Sequence, residues 1–485
     1  MLTTFTAPAF AGTWYIEDGD ITISAGESGN NVTQNENTTK NDTDTIITNR
    51  EEGASSHTVT IDAKDKDDKV EVTLKDANID TSKQSKAAVS VTGSGDTTIE
   101  LDGDNELQGG DRHAGLEHNQ TVDSEGNVTS GKLTIQDDND NAGSLTATGG
   151  YFGAGIGGGS AKAGQVTITG GTITAISGDG AGIGGGQGNM GSNAGNADIE
   201  ISGGTIEATG GYTSAGIGGG YYGDATIKIT GDAVIKNATG GTFGAGIGGG
   251  GGGNGDVTIS GNAKIENAQG GYAGSGIGGG YGASGTVTIK DDSTVTATGG
   301  EAGAGIGGGV GGLADVTIEG NATVNAIGGV GSAGIGGGYD AENDEDDGNG
   351  NQISIKSNES GAPTVNATGG ESSIDKKTGE KIPGGAGIGS GAGDAKANIT
   401  LEGKVTIVAK AGEGNAAIGD MNGEQVFTGL DGSITRYDSE GNDTTLPTDP
   451  GYPVPADTSS SGGGSAGASV QESVFPGLVV TDKDG

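Results

Sequence analysis

The pentapeptide Gly-Ile-Gly-Gly-Gly recurs seven times, with its isoleucine at Ile156, Ile183, Ile217, Ile247, Ile277, Ile306 and Ile335. Two degraded copies follow at Ile388 and Ile418, and most spacings fall between 27 and 34 residues. A fixed period near 30 residues with tolerated insertions is the mark of a solenoid, in which each unit buries its apolar face only against its neighbours. Low-complexity disorder has no reason to keep register over so long a stretch. Within a unit the pattern is strand, turn, strand, turn, strand. In the segment from Gln165 to Gly186, Val166 and Ile168 alternate with Thr167 and Thr169. A Gly170-Gly171 turn follows, and then Ile173 and Ala175 alternate with Thr172 and Thr174. Period-two alternation of β-branched residues is strand chemistry, and no helical period interrupts it.

Three short parallel strands per unit describe an all-β chain, a parallel β-helix of about 30 residues per rung and roughly ten rungs. The hand is expected to be right, because parallel crossovers overwhelmingly are. Each rung gives the interior a Val/Ile pair, an Ile or Val with a following Ala, and the Ile of the mark. The composition suits this narrow core: 108 of 485 residues are Gly, 30% are apolar and none is Cys. With 24 Lys and Arg against 65 Asp and Glu, the net charge is -41, which argues against nucleic acid as a partner. No apolar run of membrane-spanning length occurs, so no transmembrane segment is expected.

The chain divides by composition. Residues 1–12 end in Ala9-Phe10-Ala11, a small-x-small pattern that reads as the tail of a secretory signal. Residues 13–85 read as an N-terminal cap with irregular strands, and the sole Trp14 suits that cap. Residues 86–420 read as the β-helix, in which Ala114-Gly115-Leu116 is a decayed mark placed 40 residues before Ile156. Residues 421–445 read as closing strands, and 446–485 as a flexible Gly/Ser/Pro linker and tail. Absence of Cys together with the leader pattern points to a secreted or bacterial cell-surface setting.

The recurring phrase GAGIGGG followed by VTI and ATGG resembles Gly-rich parallel β-helix proteins secreted by Clostridia and other Firmicutes. The segment from Ala9 to Ile16 with Gly19 to Ile23 is similar to the mature start of such proteins. The resemblance covers roughly residues 9 to 420. It implies a pectin-lyase-like fold and carbohydrate binding, and it carries no diagnostic ligand residues.

Several features bear on function. The Gly marks admit two readings, tight packing of rungs or a bare backbone floor for a ligand. Nine of the seventeen aromatics border the marks: Tyr151, Phe152, Tyr212, Phe243 and Tyr272 before an Ile, and Tyr221, Tyr222, Tyr281 and Tyr339 after one. Such rings are either a ligand-binding border for sugar faces or a ladder that packs neighbouring rungs. Tyr212, Tyr221, Tyr272 and Tyr281 are expected along one groove edge. Insertions collect beside the marks, including the stretch from Glu371 to Gly385. No cofactor is required, but oxygen-rich clusters at Asp137, Asp138 and Asp140, and at Asn343, Glu345 and Asp347, have the composition of Ca²⁺ loops or of solvated charge runs. Catalysis finds little support: His57, His113 and His118 lie outside the regular rungs, and their spacing fits no zinc motif. The sequence therefore favours a non-catalytic protein that binds polysaccharide, or a host or cell-surface glycan, or acts as an adhesin. A lyase or hydrolase and a purely structural spacer are the rivals.

Overall fold

Alternation places Val166 and Ile168 on one side of a strand and Thr167 on the other, and stacking repeats that choice rung after rung. The computed structural model describes residues 10–139, 141–188, 195–342, 350–376, 378–393 and 395–453. Three ladders of parallel strands close around one interior. In the first, Gly164–Ile168 pairs with Ala197–Ile201, which pairs with Ala225–Ile229 and then Gly255–Ile259, so Val166 stacks on Ile199, Ile227 and Val257. In the second, Ile173 stacks on Ile206, Ile235 and Ile265, and Ala175 on Ala208, Ala238 and Ala268. The third is the column of mark isoleucines, Ile156 on Ile183 on Ile217 on Ile247. All these side chains are buried. The fold is an all-β parallel β-solenoid.

It is longer than the marks indicate. The stack has about 14 turns rather than roughly ten. The extra turns lack the Gly signature: Ile21, Val59 and Val89 occupy the mark column ahead of Leu116, and Leu116 pairs with Ile156 as its decayed mark suggests. The first strand, Phe10–Tyr15, pairs with Asn37–Thr48 and already includes the last residues of the segment read as a leader. Near the other end, Asp431–Tyr437 continues the second ladder. There Arg436 falls opposite Ala409, in the interior Ala column, and is fully buried. It is held by Asp449 through Nε and by Glu424 through Nη1, and its Nη2 donates to the Gln425 carbonyl.

The glycine after each mark isoleucine explains why the mark exists. Gly248 has φ of 139°, and a Cβ there would stand 2.0 Å from the carbonyl oxygen of Gly278 on the next rung. The same conformation recurs at Gly184, Gly218, Gly278 and Gly307. These glycines are buried, so the marks form a packed seam and not a bare floor.

Stacking also brings like charges to rung spacing, about 4.8 Å. One corner avoids this by alternation: Asp232, Asn262, Asp292 and Asn321 follow one another, with Asn262 Nδ2 donating to Asp232 and Asn321 Nδ2 to Asp292. Asn262→Asp would place three exposed carboxylates in a row. The expected cost is about 1 kcal/mol at low salt, shrinking in molar NaCl. Urea melts at two salt concentrations read it, and an unchanged or salt-independent stability contradicts it.

His118 ends an interior column that runs through Ile23, Ile61 and Val91. It is buried, with Nδ1 at 3.2 Å from the Val91 carbonyl and Nε2 at 2.9 Å from that of Gly131. Burial pushes its pKa down from 6.5, outweighing the two carbonyls. The unfolded chain therefore takes up this proton first as pH falls, and stability drops below the unfolded value of about 6.5. Wild-type melting temperature should decline between about pH 7 and pH 5, above the carboxylate range, and the decline should flatten in His118→Gln. Identical slopes in the two proteins would contradict this.

Candidate functional site

One corner of the solenoid is built from two sets of loops, one preceding each mark isoleucine and one following it. The backbone locks them together. Gln187 N donates to Phe152 O, Gly251 N to Thr213 O, Tyr281 N to Phe243 O, Val310 N to Ala273 O and Tyr339 N to Ala302 O. Each following loop thus bonds the preceding loop of the rung before it, and side chains from both sets crowd onto one surface. Strand alternation does not reach these loops, so their rings face away from the core. Tyr151, Tyr212, Tyr272 and Tyr281 are at least half exposed, among the few large apolar side chains so displayed in the described residues.

The rings form short chains. Tyr212 meets Phe243 edge-on at 5.4 Å, and Phe243 meets Tyr281 at 5.5 Å. Tyr272 and Tyr281, with Phe243 and Tyr339, line a groove of about 430 Å³. Its far wall is the antiparallel hairpin Ser373–Ile374 with Lys381–Ile382, and Val330 completes the floor. An ion pair from Lys381 to Glu413, joined by the Ser372 hydroxyl at 2.7 Å from the same carboxylate, ties the hairpin to the last rungs. Partial burial, with Asp340 and Asp375 nearby, pushes the Tyr339 phenol up, so it remains a neutral hydroxyl able to donate.

The nine border aromatics therefore separate into groups. Phe243, Tyr272, Tyr281 and Tyr339 share the groove, and Tyr212 joins it through Phe243. Tyr221 and Tyr222 pack on each other at 4.1 Å, and Tyr222 lies against Gly252, where an added Cβ would meet its ring at 2.5 Å. Tyr151 and Phe152 pair at 4.6 Å on an earlier rung. Of the expected edge residues, Tyr272 and Tyr281 line the groove itself, whereas Tyr221 is engaged with Tyr222. The hairpin residues Ile374 and Ile382 and the floor residue Val330 were not singled out in the sequence; their only signal was the insertion between Glu371 and Gly385.

The oxygen-rich clusters are only partly visible. Asp140, Asn343, Glu345 and Asp347 lie outside the described residues. Asp137 Oδ2 accepts the Gly143 amide at 3.1 Å, which closes a turn, and the Asp138 amide donates to Glu100 at 3.0 Å. Among the described residues no three His, Cys, Asp or Glu side chains converge as a metal site would need. None of the described helices is long and apolar enough to cross a membrane.

Comparison with known proteins adds the fold alone. A family model of beta helix repeats matches residues 141–160, 166–187, 199–221, 287–310 and 316–339. These segments carry the marks of Ile156, Ile183, Ile217, Ile306 and Ile335. No curated protein and no solved structure matches the chain.

Proposed function

We propose that this protein is a secreted or cell-surface, non-catalytic β-solenoid that binds a neutral glycan along its aromatic corner. The observation that carries the reading is the groove formed by Phe243, Tyr272, Tyr281 and Tyr339, with two tyrosines at least half exposed at its edge. Flat rings stack on the apolar faces of sugar rings while phenolic hydroxyls bond sugar hydroxyls, and such rings on a rigid scaffold lose little entropy on binding. The scaffold is rigid because each loop is bonded to the loops of adjacent rungs. The groove lining sets Glu301 and Asp375 against one cation, Lys376, which favours neutral chains at this groove. The leader pattern at Ala9-Phe10-Ala11 and the absence of Cys support an extracellular setting.

A screen of the intact protein on an array of neutral and acidic glycans tests this. Retention on a defined subset of neutral oligosaccharides is the expected result. Retention on none would leave the rod as a spacer whose aromatic corner only packs.

A further inference from the structure

Cations are scarce in this chain, yet three basic side chains line one cavity of about 460 Å³ on the rung of Ile156: Arg112, His113 and Lys162. Phe152 and Asn119 share its wall. The cavity is built from both neighbouring rungs. Ser160 N donates to Arg112 O at 2.7 Å, and Gly159 N to Asn119 Oδ1 at 2.9 Å. Arg112 and Ala161 both hold positive φ, 68° and 57°, a strained conformation maintained by this two-rung frame.

The one carboxylate inside is already spoken for. Glu117, whose side chain is 9% exposed, accepts from His113 Nδ1 at 2.8 Å and from the Ala114 amide at 3.2 Å through Oε2. Its Oε1 accepts from Asn119 Nδ2 at 3.0 Å. Glu117 thus orients His113 and does not neutralise the other two cations. Lys162 has no acidic partner among the described residues, and Arg112 has only its chain neighbour Asp111, at 3.8 Å. Gln187, which also lines the cavity, donates through Nε2 to Asp179 at 2.7 Å. The Arg112 guanidinium lies 5.5 Å from the Phe152 ring centroid, so charge and an apolar ring face stand side by side.

From this juxtaposition we infer a second binding site, for a sugar ring that carries one anionic substituent, a carboxylate or a sulfate. Arg112 and Lys162 take the anion through charge-assisted hydrogen bonds, His113 held by Glu117 donates to it or to a ring hydroxyl, and Phe152 supports the ring. The overall negative charge does not forbid this, because at physiological salt the field of distant carboxylates decays within about 8 Å. The rung of Ile156 lies four rungs from that of Tyr272, roughly 19 Å by rung spacing, so the two sites are independent.

Saturation-transfer NMR and calorimetry with the full chain test it, using glucuronic acid, glucose 6-sulfate and glucose as probes. At least one of the two acids should bind, and glucose should not. Arg112→Gln with Lys162→Gln should weaken that binding about tenfold or more, the loss expected when two charge-assisted contacts go. Circular dichroism should show the double variant folded, since both side chains are exposed. Tyr272→Ala with Tyr281→Ala should leave it unchanged, which separates this site from the neutral-glycan groove. Binding of only one acid names the anion. Binding of neither acid, or equal binding by the double variant, overturns the proposal.

Discussion

Ile217→Asp should leave the chain unable to form the solenoid, with the protein recovered as aggregate, whereas Thr258→Asp should melt within about 0.5 kcal/mol of wild type. Ile217 has no exposed surface, and it stacks between Ile183 and Ile247 in a column one residue wide. An aspartate there would be an unpaired charge among aliphatic side chains, with no polar group within the column to receive it. Such a burial costs several kcal/mol, and the lesion severs the interfaces to both neighbouring rungs. Thr258 sits on the outer side of the first ladder between Lys228 and Thr288, half-buried, where a carboxylate keeps its water and gains a lysine neighbour. Thermal melts and size-exclusion profiles of both variants check this. Comparable losses would show that the inward and outward phases are assigned wrongly.

A graded glycine series should follow. Gly248→Ala asks for a Cβ 2.0 Å from the Gly278 carbonyl oxygen at φ of 139°. Backbone on the next rung must move, and conformational strain of about 1–3 kcal/mol adds to the displacement, so several kcal/mol should be lost. Gly282→Ala meets open space but at φ of 71°, and should lose only about 1–2 kcal/mol. Gly53→Ala has open space and no positive φ, and should be neutral or slightly stabilising, because alanine restricts the unfolded chain. Chemical denaturation of the three variants gives the order directly. Equal effects at Gly248 and Gly53 would contradict the packed-seam account of the marks.

The regular rungs were legible because two periods coincide there. Alternation put Val166, Ile168 and Ile173 inward, and the thirty-residue repeat fixed which strands pair. Leu116 was readable as a worn mark for the same reason. The first turns carry no mark in the sequence, because Ile21, Val59 and Val89 fill the mark column without its glycines. Those earlier strands run on past the isoleucine position, as in Val59–Ala63, and so need no left-handed residue beside it. Arg436 was unreadable in a different way. A charged side chain is expected outside, and only the fold-back that brings Asp449 and Glu424 to it allows it to close the interior. The aromatic border could be seen from its offsets to the marks. Which rings share a groove depends on a hairpin about forty residues downstream of the Val330 loop, and sequence spacing says nothing about that contact.

The central functional claim is that the ring-lined groove, and not the rod as such, holds glycan. The direct measurement is co-sedimentation with insoluble neutral polysaccharides, comparing wild type with Tyr272→Ala, Tyr281→Ala and Tyr339→Ala singly and together. Circular dichroism and melting curves should show every variant folded, since these rings lie outside the interior columns. The account predicts stepwise loss, about 1 kcal/mol of binding free energy for each ring removed, and near-complete loss in the triple variant. A folded triple variant that sediments with the same glycan as tightly as wild type would contradict it.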